Sequence, residues 1–150
     1  MALKKNRVRV VFDTNLFIAR FIKHKRNSVN RRVIDLWQEQ RRLQLIVSQP
    51  LIDEYLYVLE NYIGIRKSRL ELLKTRLETA SYITRVNLGK RFYLSRDSKD
   101  NMFIDTAHIG KAKFVVSRDK DLLNIPKENL KGFRFEVVTP FEFLKQIGKV

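Results

Sequence analysis

Cysteine is absent from this chain, and histidine occurs only twice, at His24 and His108. The first absence excludes a disulfide framework, thiolate catalysis and Cys-ligated zinc, and it agrees with a reducing compartment. Two isolated imidazoles make a poor metal set. No apolar run approaches the ~20 residues of a bilayer span. The basic start MALKKNR lacks the apolar stretch and small-residue cleavage site of a signal peptide. A cytoplasmic protein with no membrane partner is therefore expected. With 5 glycines and 3 prolines the chain holds neither a G-x-G-x-x-G turn nor a G-x-x-x-x-G-K-S/T loop, which disfavours nucleotide-cofactor binding. It also lacks internal repeats, low-complexity tracts and linkers rich in Pro, Gly and Ser, so residues 1–150 read as one domain.

Acids are in deficit as well: 16 Asp and Glu stand against 31 Lys and Arg, a formal net charge of +15. Such a field concentrates polyanions and hastens their capture, which makes nucleic acid the first candidate partner and an acidic protein the second. Apolar residues, by contrast, are plentiful. A 44% hydrophobic composition with 10 Phe supplies the core of a layered domain.

Strand-like runs and helical periodicities alternate along the chain. Val8 to Phe12 form a solid apolar strand ending at Asp13, and Leu16, Phe17 and Ala19 begin a helix-like stretch. After the basic Lys23 to Arg26, Val29, Val33, Ile34 and Trp37 fall at helical spacing. Leu43 to Val47 predict a second strand, and Ser48-Gln49-Pro50 opens a helix with the apolar face Leu51, Tyr55, Val58, Leu59 and Tyr62, ended by Gly64. A helix over 67–81 carries Leu70, Leu73 and Leu77, and Ile83 to Val86 suit a short edge strand. Asp97 starts a helix through Ala107, Lys113 to Ser117 form a β-rich run, and Asp119 to Leu123 give one helical turn. Phe135 to Val138 form the last strand, and Pro140 opens a final helix whose Phe141, Leu144 and Ile147 pack back on the sheet. The alternation predicts an α/β domain with a parallel, doubly wound sheet.

Four acids occupy comparable places: Asp13 after the first strand, Glu54 in the helix after the second, Asp100 early in its helix, and Asp119 just past KFVVS. Right-handed crossovers bring such turns to one edge of a parallel sheet, where ligands bind. Capping explains any one of them, since an Asp before a helix satisfies free backbone N–H groups. It does not explain four together: two carboxylates about 5 to 6 Å apart repel by roughly 3 kcal/mol at an effective dielectric near 20, and a cation relieves that repulsion. Oxygen ligands without imidazole or thiolate favour Mg²⁺ or Mn²⁺ over zinc. On this reading Asp13, Asp100 and Asp119 hold one or two ions, and Glu54 ligates a second ion or positions the attacking water in phosphate-ester hydrolysis. Asp121 replaces or assists Asp119, while Asp53 and Asp105 are weaker candidates that suit solvent-facing positions on their helices. Asn15 and Ser117 are candidates for orienting a water at the metal, although both are ordinary choices in turns and strand ends.

These segments resemble the PIN-domain nucleases, and in particular the toxin halves of bacterial and archaeal toxin–antitoxin pairs (VapC-like). The opening acid of that family resembles VVFDTNLF at Asp13, its helix glutamate SQPLIDEYLYVL at Glu54, its third acid DSKDNMFIDTA at Asp100, and its last acidic turn KFVVSRDKDLL. The closing VVTPFEFL is similar to a subgroup of PIN toxin components. The resemblance implies a three-layer α/β/α domain whose central parallel sheet has four to five strands, in the order 3-2-1-4-5. It also implies a metal-dependent endoribonuclease acting on RNA, often a homodimer, restrained by a cognate antitoxin. The paired Asp119 and Asp121, and the basic HKRNSVNRR at 24–32, depart from the family pattern.

Other function classes remain in view. Phosphoryl transfer through an aspartyl intermediate wants a second Asp two residues after the nucleophile, where this chain has Asn15. A basic RNA-binding or partner-binding module without turnover, its acids acting as caps, is a further alternative, as is a housekeeping RNA-processing nuclease. Lys90-Arg91-Phe92-Tyr93 is suited to stacking an unpaired base between phosphate contacts, or to core packing by its rings.

Overall fold

The computed structural model describes residues 7–22, 28–89 and 98–148, with the backbone alone at 98–101. Lys23 to Arg26, Lys90 to Tyr93 and the helix start at Asp97 lie outside the described residues.

The apolar runs become the sheet. Strands β1 (Val8–Phe12), β2 (Leu43–Val47), β3 (Ile83–Arg85), β4 (Phe114–Val116) and β5 (Glu136–Val138) pair in parallel in the order β3-β2-β1-β4-β5. Parallel strands covered on both faces cannot alternate polar and apolar residues. Val10, Val11, Phe12, Leu45, Ile46, Val47, Val115 and Val116 are accordingly all fully buried.

Helices α1 (Thr14–Ile18), α2 (Val29–Gln38), α3 (Gln49–Val58), α4 (Lys67–Thr79), α5 (Ser98–Ile109), α6 (Lys120–Leu123) and α7 (Pro140–Gln146) flank the sheet, giving the three-layer α/β/α arrangement. Helix α2 packs on α7, and α5 packs on β1, β2, β4 and α3. Between the layers Trp37 meets Phe12 and Tyr82 edge-on, and Phe17 stacks on Tyr55 at 4.0 Å between centroids. Gly110 ends α5 against β2, where a Cβ would sit 2.2 Å from Ile46 Cγ2, so only glycine lets the helix close on the strand. The Arg9 guanidinium of β1 donates to the Gly110 carbonyl at 2.7 and 3.0 Å, fastening that end.

Two side-chain expectations are corrected. Helix α3 buries Leu51, Ile52 and Tyr55, and Leu59 follows them into the core, but Tyr62 is 74% exposed. A π-helical turn over Leu59–Ile63 changes the helical phase and swings Tyr62 outward before Gly64 ends it in a left-handed conformation at φ 78. In α7 the inward stripe is Pro140, Phe143, Leu144 and Ile147, the i, i+3, i+4, i+7 pattern, and Phe141 falls off it and is exposed.

Candidate active site

Register builds the centre of the site. Phe12 pairs with Val116 across β1 and β4, so the next residues, Asp13 and Ser117, emerge side by side at the carboxyl edge of the sheet. The Asp13 N–H still donates to the Val116 carbonyl at 3.1 Å, which holds its backbone in line with the strand. Its carboxylate is buried and takes three hydrogen bonds. Oδ1 accepts from the Leu16 N–H at 2.8 Å, the capping bond of α1, and Oδ2 accepts from the Ser117 hydroxyl at 2.6 Å and the Arg118 N–H at 3.2 Å. Capping is therefore real at Asp13, but it accounts for one oxygen. The other is held by residues more than a hundred positions away. A carboxylate oxygen has two lone-pair directions, so both at Oδ2 are taken and one at Oδ1 stays open.

Burial pushes the Asp13 pKa up; the bonds from Ser117, Leu16 and Arg118 pull it back, and the charge of Asp119 pushes it up again. Among the described residues no basic side chain pairs with Asp13, Glu54 or Asp119, the ion pairs there being Arg31–Asp35 and Arg85–Glu78.

Asp119 caps α6 by accepting from the Asp121 N–H at 2.9 Å, and its own N–H donates to Ser117 Oγ at 2.9 Å. Ser117 thereby joins the first and last acids: its oxygen accepts from one and its proton goes to the other. Asp121 is exposed in the first turn of α6, and Asn15 is exposed in α1. Glu54 is half-buried, with Oε2 3.5 Å from Thr14 Oγ1. Tyr55, beside it, is fully buried and donates to the Phe12 carbonyl; burial first, then the charges of Asp13 and Glu54, hold its pKa well above 10.0. The structure thus brings Asp13, Glu54, Ser117 and Asp119 to one edge. Asp100 lies in the first turn of α5, and its side chain is outside those described.

Sequence reasoning missed three supports. Thr14, next to Asp13 in the D-T-N triplet, reaches toward Glu54 with its hydroxyl, and its place in that triplet is the available signal. The Ser48 hydroxyl donates to Thr106 Oγ1 at 2.7 Å, since Thr106 gives its own proton to the Met102 carbonyl, and this ties the start of α3 to α5. Asp53 faces solvent as expected, but Asp105 does not. It is 2% exposed, its Oδ1 has no partner among the described residues, and burial raises its pKa from 3.8 to about 6.

A sequence profile described as PIN domain matches residues 9–121. The chain belongs to the PIN domain family. The matched span carries Asp13, Glu54, Asp100, Asp119 and Asp121, and it ends before β5 and α7. The chain is also similar to the uncharacterized protein MJ1680 of Methanocaldococcus jannaschii, at 30% identity over 98% of this chain and 96% of the relative. PIN domains are generally nucleases, with nucleic acid as substrate, and they typically use divalent metals such as Mg²⁺. No helix among the described residues is long and apolar enough to cross a membrane.

The residues of this PIN domain suit such a cation. Asp13 is a buried carboxylate without a basic counter-charge, one lone pair is open, and all the neighbouring acids offer oxygen, the donor a hard cation prefers. Among the described residues no three acids or histidines cluster tightly enough to hold a metal unaided.

Proposed function

We propose that this PIN domain is a Mg²⁺- or Mn²⁺-dependent endoribonuclease that hydrolyses RNA phosphodiester bonds. The observation that supports it most is Asp13: a buried acid at the carboxyl edge of the sheet, aligned from both sides by hydrogen bonds, within reach of the Asp119 charge and, among the described residues, with no basic side chain to neutralise it. Asp13, Asp100 and Asp119 are the proposed metal ligands, with Asp121 secondary to Asp119. A cation bound there supplies a Lewis acid that acidifies water and offsets charge on the scissile phosphate.

The protein's own residues do the rest. Ser117 fixes the Asp13 carboxylate and, through the Asp119 N–H, the turn that carries the last acid. Thr14 stands beside Glu54, which positions the attacking water, and exposed Asn15 is free to hydrogen-bond the substrate side of the site. The surplus of 31 basic over 16 acidic residues draws the RNA in.

Within this reading the protein is the toxin of a toxin–antitoxin pair, a single cytoplasmic domain over residues 1–150 that acts as a homodimer and is restrained by a cognate antitoxin. Sequence segments support that role: VVTPFEFL resembles a subgroup of PIN toxin components. Asp13→Asn and Asp100→Asn should each abolish Mg²⁺-dependent cleavage of single-stranded RNA while leaving the circular dichroism spectrum unchanged. Equal cleavage by wild type and both variants would reject the proposal, and growth arrest on expression, relieved by a neighbouring gene product, tests the toxin role separately.

A further inference from the structure

Tyr57 and Tyr62 are 55% and 74% exposed, although tyrosines on a core helix ordinarily bury their rings. In a regular α-helix residues five apart point roughly 140° away from each other and do not meet. Here the π-helical turn over Leu59–Ile63 resets the phase, and the two rings pack edge to face with centroids 6.2 Å apart. The Asn61 side-chain amide donates to the Tyr57 carbonyl at 2.9 Å, and Gly64 closes the turn at φ 78, so the arrangement is pinned at both ends. Such single π-helical turns are rare and are frequently found at functional sites.

Tyr57, the nearer ring, also lies close to Glu54 of the proposed catalytic edge. Tyr57 follows Glu54 by three residues on α3, one turn along the same side of the helix, a Cβ separation of about 5 to 6 Å. The two part-exposed rings offer at most about 300 Å². A stable protein interface needs about 800 Å² per partner. The exposed face of one ring, bordered by the edge of the other, matches a nucleobase in size and shape, and the net charge of +15 matches the polyanion that carries one.

We propose that Tyr57 and Tyr62 form a stacking platform for one unpaired base of single-stranded RNA, adjacent to the bond that Glu54 faces. The identity of the substrate rests on the nuclease reading above. The platform sets which strands are cut: a base held there must be splayed from any duplex, so single strands and loops are favoured over paired stems.

The test walks one abasic nucleotide along a single-stranded oligoribonucleotide and measures binding in Ca²⁺, and separately cleavage in Mg²⁺. Wild type should lose about tenfold in affinity when the abasic position falls on the platform. Tyr57→Ala/Tyr62→Ala should bind the intact strand about tenfold more weakly and become indifferent to the abasic position, whereas Tyr57→Phe/Tyr62→Phe should behave as wild type. Identical abasic profiles in wild type and the alanine variant would overturn the platform, as would failure of wild type to bind any strand. So would a dimer that dissociates on alanine substitution while the abasic profile persists, since the tyrosines would then serve a protein interface. A tyrosine-dependent profile without cleavage in Mg²⁺ would uphold the platform and overturn the nuclease reading instead.

Discussion

Two buried aspartates in this molecule sit in similar solvent exclusion and meet opposite fates. Asp13, 4% exposed at the edge of the sheet, receives three hydrogen bonds, and Asp105, 2% exposed inside α5, leaves Oδ1 with none among the described residues. Burial raises both pKa values, but only at Asp13 do oriented donors oppose the rise. The difference teaches that the fold supplies donors where an ionised carboxylate is needed. Asp105 has no such supply and holds a proton up to about pH 6.

The comparison is broken most severely by removing the charge at Asp13. Asp13→Asn should lower RNA cleavage by roughly 10³-fold or more, some 4 kcal/mol of transition-state stabilisation, as read from single-turnover rates in Mg²⁺. It should still fold, with a melting temperature lowered by a few degrees: Asn keeps the cap bond to the Leu16 N–H and sheds a buried charge, but its amide NH2 cannot accept from the Arg118 N–H.

At Asp105 the equivalent change should stabilise. The folded pKa of about 6 lies above the ordinary carboxyl value of 3.8. Across that window the folded state keeps a proton that the unfolded chain releases, so stability falls as pH rises and levels off above it. Asp105→Asn removes the penalty. It should match wild type near pH 4 and exceed it at pH 8 by up to about 3 kcal/mol in denaturant titrations. A variant less stable than wild type at pH 8 would show that the ionised carboxylate has a stabilising partner.

Ser117→Ala sharpens the contrast by making Asp13 resemble Asp105. It deletes one donor to Oδ2 and the acceptor for the Asp119 N–H. Metal affinity or activity should fall about 10- to 100-fold, and the acid limb of the pH–rate profile should move to higher pH, because the bond that lowers the Asp13 pKa is gone. Tyr55→Phe should be mildest. It leaves the buried Phe12 carbonyl without the tyrosine hydroxyl, at a cost of about 1 to 2 kcal/mol in unfolding free energy.

Much of this architecture is legible in the chain because the central strands must be apolar throughout. VRVVF, LQLIV and KFVVS announce β1, β2 and β4, and the acids that end or follow them mark one edge of the sheet. The order β3-β2-β1-β4-β5 agrees with the family resemblance. Side-chain phase is less legible. Tyr62 follows the apolar periodicity of α3 until a π-helical turn, which no local residue pattern announces, shifts it outward. Asp105 reads as solvent-facing because an acid on a helix ordinarily is, yet its neighbours Phe103, Ile104, Thr106 and Ala107 are all buried with it. The Ser117–Asp13 bond is a product of register between β1 and β4, a long-range pairing that sequence spacing alone does not carry.

The central claim is that acids from distant parts of the chain meet at the carboxyl edge of the sheet to hold a divalent cation. Anomalous diffraction from crystals grown with Mn²⁺ tests it most directly. The account predicts a manganese peak at the Asp13 carboxylate, shared with Asp100 and Asp119 and lost in Asp13→Asn. A peak elsewhere, or one that persists in that variant, would contradict it.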